Sequence, residues 1–193
     1  MRMRLEALGV AAVLSAVSIG SAAAASDSDL ALFGRDPGND RVFACYTRHY
    51  DAVHLAGHPK QNVTDMTLFV ASYVEPDAGR QYVLSMGVQF RTAKTQFQVS
   101  GACGVPADGS AALGCGIECD GGHIGIRIKN AESILVDIPY GARTWDPASE
   151  EEPPEDARFG LDDKLFRLDR TALPDCAPLI WDDADRATVL GGS

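Results

Sequence analysis

Three of the four histidines fall close together in the chain, at His49, His54 and His58. Imidazole ligates zinc and copper well, and His54 and His58 have the i, i+4 spacing that sets two ligands on one helix face. The flanking residues argue against a metal. Asp51 suits a helix N-cap, Gly57 suits the position after the last turn, and Pro59 forbids continuation. His58 is therefore expected beyond the helix end, pushed toward an extended backbone by the following proline and off the shared face. A short capped turn near 51–57 with partly exposed imidazoles is the preferred reading. A metal site on these histidines stays as the alternative.

A second constellation is Cys115, Cys119 and His123, with Asp120 between them. Two soft ligands and an imidazole could hold zinc. If Asp120-Gly121-Gly122 formed a three-residue hairpin loop, Cys119 and His123 would face each other as a thiolate–imidazolium pair. No orienting third group or oxyanion hole is recognisable, structural zinc sites generally use Cys-x2-Cys spacing, and oxidised cysteines cannot ligate. Disulfide chemistry is preferred. Other motifs are weaker still. The glycines at 114, 116, 121, 122 and 125 precede no helix and so do not read as a nucleotide loop. Glu150, Glu151, Glu152, Glu155 and Asp156 lack the alternate spacing of a calcium loop and are interrupted by two prolines. Asn62-Val63-Thr64 is a glycosylation sequon only where a host has the machinery. No hydrolase signature or paired carboxylate stands out, so no catalytic residue and no cofactor are expected.

These residues sit on a chain whose apolar pattern has period two. Met66, Leu68 and Val70 alternate with Thr67, Phe69 and Ala71. Tyr82, Leu84, Met86, Val88 and Phe90 form a second run, and Phe97 with Val99 a third. Ile124, Ile126 and Ile128, then Ile134, Val136 and Ile138, continue it, with turns rich in Gly, Pro, Asn and Asp between. Val42–Tyr46 and the stretch around Leu165, Phe166 and Leu168 supply a first and a last strand. About six or seven short strands at this spacing predict an all-β, single-domain antiparallel sandwich or small barrel. Residues 26–41 read as a polar linker, 42–178 as the β-domain, 145–157 as an acidic mobile loop and 179–193 as an acidic, fraying tail.

The five cysteines allow two bridges and one free thiol in several arrangements. Cys115 and Cys119 are about 13 Å apart on an extended strand, too far to bond. A hairpin about Gly109 places Cys103 opposite Cys115, so that bridge is feasible. Cys45 with Cys176 would then close a very long loop, leaving Cys119 as the candidate free thiol.

Compartment and charge narrow the partners. A basic start, an apolar stretch over Leu8–Ile19 and a small-residue end at Ala25 read as a secretory leader over 1–25, too short to span a bilayer. Its removal leaves about 168 residues, enough for one domain with a real core. Asp and Glu total 27 against 17 Lys and Arg, a formal net charge of −10. Such a surface repels phosphate backbones and anionic lipid, which argues against nucleic acid and membrane-surface binding and leaves basic partners, cations and neutral ligands open. No membrane span is expected. The stretches HLAGHPKQNVTDMTL, CGIECDGGHIGI and DDKLFRLDRTALPDC resemble segments of small exported proteins of alphaproteobacteria that have no assigned activity. That resemblance covers about half of the mature chain and implies a periplasmic location. It also implies that the similar proteins carry a further cysteine near Arg143 or Thr144, as a partner for the one unpaired here. Together these readings lead to the expectation of a non-enzymatic binding module for a basic protein or envelope component. A metal- or thiol-dependent protein built on the histidines or on Cys119 and His123 is the alternative.

Overall fold

The computed structural model describes residues 27–191. The expected leader therefore lies outside the described residues. Eight strands, each antiparallel to the next, close into one barrel. They are β1 (Val42–His49), β2 (Val63–Glu75), β3 (Gly79–Phe90), β4 (Gln96–Gly104), β5 (Leu113–Ile117), β6 (His123–Asn130), β7 (Ser133–Asp137) and β8 (Leu165–Arg170). Closure rests on two residue pairs only, Tyr46 with Arg170 and Thr47 with Asp169. Of the two architectures expected, the chain adopts the barrel.

Side-chain alternation decides what fills it. Met66, Leu68 and Val70 of β2 point inward and are at most 1% exposed, as are Leu84, Met86 and Val88 across the ladder on β3. An eight-stranded barrel is just wide enough for such side chains to meet in the middle, so the interior is packed. The outward residues Phe69 and Ala71 are buried as well, because a 3₁₀ segment, Leu173–Leu179, and a helix, Asp183–Gly191, cover them together with Val189 and Ile180. A disulfide between Cys45 of β1 and Cys176 fastens that outer layer. The expected fraying tail is thus partly a docked helix. Its register is fixed by Val189 and by an ion pair of Asp185 with Arg41, groups that compositional polarity does not reveal.

The expected polar linker likewise contains structure. Asp27–Phe33 forms a seven-residue helix, α1, that plugs one end of the barrel with Leu32 and Phe33. The Tyr46 hydroxyl donates to the Leu32 carbonyl at 2.7 Å, and the Tyr82 hydroxyl donates to the Asp29 carboxylate at 2.8 Å. Arg170 lies over the Tyr46 ring and donates to the carbonyls of Ala31 and Leu32. Burying the two apolar side chains is worth about 1.5–3 kcal/mol each, enough to hold a helix too short to form alone. The other end is closed by the returning β7–β8 connection. Asp163, fully buried, accepts from the backbone N–H groups of Gly160 (2.6 Å), Asn62 (2.8 Å) and Val63 (3.3 Å). Phe159 packs edge-on to Phe90 beside it.

The same connection repairs a gap in the wall. β5 has five residues against nine in β4, so β4 loses its neighbour before Gly101. Trp145 takes the vacant place and exchanges both backbone hydrogen bonds with Gln98, at 2.8 and 3.0 Å. Ala142 bridges Gly122 one step away. Trp145 and Ala157, the two ends of the stretch expected to be mobile, are therefore anchored, with Ala157 fully buried. The glutamates between them stay exposed.

Candidate functional site

The histidine group divides. The second helix, α2 (Ala52–Gly57), has Asp51 as its N-cap, the carboxylate accepting from the His54 N–H at 2.7 Å. His58 follows the helix as expected, but it does not leave its neighbour: its ring stacks on His54 with centroids 4.4 Å apart. The other side of His54 rests on Tyr50, and its Nε2 hydrogen-bonds the Gln61 side-chain oxygen at 3.0 Å. Because Gln61 gives its own amide to the Val63 carbonyl, that Nε2 is the donor. His49 instead meets Asp65, its register partner, at 2.6 Å. Arg91 ties the helix end down by donating to the carbonyls of Leu55, His58 and Gln61. Among the described residues, no group of three or more His, Cys, Asp or Glu side chains could hold a metal ion. Burial beneath this cluster pushes the Tyr50 phenol up to about 12, opposed by the nearby Arg48 charge.

The cysteine group divides too. Cys103 lies opposite Cys115 in the ladder and is bonded to it, while Cys119 is free and exposed. The three-residue loop that would have set Cys119 opposite His123 does not form. His123 opens β6 opposite Gly116, and the turn is five residues long, Glu118 to Gly122, closed by the Ile117 N–H to the Gly122 carbonyl at 3.0 Å. Cys119 and Asp120 occupy its apex with φ of 56° each, a left-handed conformation that two adjacent non-glycine residues rarely share. His123 instead lies over Gly114, where its ring takes the room a Cβ would need.

What the turn does build is a cleft. The β7–β8 connection crosses behind it, with the Arg143 N–H donating to the Gly121 carbonyl at 2.7 Å. Only glycine permits this approach, since a Cβ on residue 121 would lie 2.8 Å from the Arg143 Cβ. Ser100 of β4, Ile117 of β5, Glu118 and Cys119 of the turn, and Arg143 and Trp145 of the connection enclose about 330 Å³. Arg143 is neutralised by Glu152 at 3.0 Å. Trp145 is backed by Trp181, which follows the 3₁₀ segment, at a centroid distance of 5.2 Å, and Trp181 is 57% exposed. Arg143 shares this wall with Cys119.

Sequence reasoning missed this cleft. Its walls come from three separated stretches, and the one local sign was an aromatic followed by acid at Trp145-Asp146 and, in the backing residue, Trp181-Asp182-Asp183. A wider groove of about 910 Å³ runs along Phe33, Phe43, Leu173 and Val189, but it is the seam between plug, wall and outer helix and brings two arginines for its one aspartate. No protein family, curated protein or solved structure matches this chain.

Proposed function

We propose that this is an exported, non-enzymatic binding module whose acidic outer surface engages a basic protein or other basic component of the cell envelope. The observation that carries this reading is the filled barrel. Its interior is occupied by its own apolar side chains and both ends are closed by its own α1 and β7–β8 connection, which leaves recognition to the outside. The whole chain has 27 acidic against 17 basic residues, and among the described residues only Asp29, Asp163 and Asp185 of the acidic ones are buried. Two disulfides accord with an oxidising compartment, and no helix among the described residues is long and apolar enough to cross a membrane.

The test is to immobilise the oxidised protein, pass a soluble envelope fraction over it and elute with salt. Retained proteins are expected to be basic and to leave as ionic strength rises. Retention of neutral or acidic proteins, or a complex indifferent to salt, would refute the proposal. A thiol-dependent function is the second reading, favoured by the exposure of Cys119 beside a cleft. It requires Cys119 to alkylate rapidly below pH 7, and a sluggish thiol would remove it.

A further inference from the structure

We infer that the cleft beside Trp145 receives an arginine side chain of the basic partner. This rests on the binding reading above and gives it a place and a chemistry. Three features converge. The Trp145 indole is half-buried and lines the cleft, and it rests against Trp181, which is 57% exposed; together they offer an aromatic surface of the kind that guanidinium groups stack on. Ile117 gives the alkyl stem an apolar wall. Glu118 sets an exposed carboxylate in the same wall, and that carboxylate makes no hydrogen bond or ion pair with any described residue.

Charge selects the ligand. Arg143 also lines the cleft, but it is paired with Glu152 at 3.0 Å, so Glu118 is the one lining charge with no ion-pair partner among the described residues. Stacking on an indole while hydrogen-bonding a carboxylate suits a planar, forked cation, whereas an ammonium group offers only a point charge. Arginine is accordingly favoured over lysine. Tryptophan with an unpaired charge at a surface cleft is also the composition of an interface hot spot.

Cys119 on the rim supplies a built-in reporter. The oxidised full chain is titrated with an arginine-rich nonapeptide, a lysine analogue and an aspartate analogue, following tryptophan emission and the rate of Cys119 alkylation by N-ethylmaleimide. The arginine peptide is expected to change the emission saturably and to slow alkylation. Glu118→Gln and Trp181→Ala, both at exposed positions, should each weaken it by about fivefold or more, in line with the loss of one charge-assisted hydrogen bond or one cation–π contact. Equal binding by wild type and both variants, or unchanged alkylation in the saturated complex, would overturn the assignment of this cleft. Equal affinity for the lysine peptide would overturn the choice of arginine. In each of those cases a basic partner retained on the column leaves the broader function standing. Failure of every basic peptide and every basic protein to bind sinks both.

Discussion

Removing the long-range disulfide should cost more than removing the short one, even though each has a cysteine in the barrel wall. Cys45–Cys176 spans 131 residues and Cys103–Cys115 spans 12. In the chain-entropy treatment these closures restrict the unfolded state by about 5 and about 3 kcal/mol respectively. Structure widens the gap. Cys176 is fully buried in the outer cluster with Phe69, Leu179 and Val189, so its loss also loosens the layer that covers β1 to β3. Cys103 and Cys115, by contrast, remain neighbours in a ladder that four residue pairs maintain. The comparison is C45A/C176A against C103A/C115A, each in urea, followed by far-ultraviolet circular dichroism and tryptophan emission. With a urea slope of about 2 kcal/mol/M, the first variant should unfold at a midpoint about 2.5 M lower than wild type and the second about 1.5 M lower. Emission from Trp181, which follows the outer segment, should change no later than the sheet signal. An equal or reversed order of midpoints would show that the outer layer is not held to the barrel in the way described.

Other expectations follow from the buried polar groups and the plug. Phe33→Ala should cost about 3–4 kcal/mol by emptying the plug beside Tyr82, measurable as a lowered urea midpoint, and a surface-like loss below 0.5 kcal/mol would contradict the plug. Asp163→Asn should cost about 2–3 kcal/mol, because an amide N–H₂ would confront backbone donors that now share a carboxylate. Burial raises the folded Asp163 pKa, opposed by those backbone donors, so the folded state holds the proton more tightly than the unfolded one. Its contribution is fullest below the ordinary carboxyl value and falls as pH rises through the raised one. The stability gap between wild type and Asp163→Asn should therefore narrow upward from about pH 4, and a widening gap would reverse the sign. Burial also pushes the Tyr46 and Tyr50 phenols up to about 12. Their contribution is complete below the unfolded value of about 10 and is lost toward 12, so a spectrophotometric titration should show these phenolates appearing only as the protein unfolds.

The fold was largely legible because the wall of a packed barrel carries its signal in every second residue. Met66, Leu68 and Val70 mark an inward face whatever lies beyond it, and a hairpin register places Cys103 against Cys115 from turn position alone. Closure was not legible, since β1 and β8 meet through only two pairs across most of the chain. Nor were the plug and the outer helix: Leu30-Ala31-Leu32-Phe33 and Val189-Leu190 are short apolar runs flanked by polar residues, without a strand's alternation, and their burial is decided by tertiary contacts. The turn at Cys119 was misread for a related reason. Asp120-Gly121-Gly122 looks like a tight hairpin loop, but the close crossing of Arg143 behind Gly121 stabilises a longer one. The cleft was least legible, because Glu118, Trp145 and Trp181 come together only when the β7–β8 connection fills the space that short β5 leaves open.

The most direct test of an outward-facing acidic recognition surface is the salt dependence of one defined complex. The basic partner retained on the column is titrated into the oxidised protein at about 50 and about 200 mM salt, with its affinity read by calorimetry. A fall of about tenfold or more across that range is the predicted result. An affinity unchanged by salt would contradict the account.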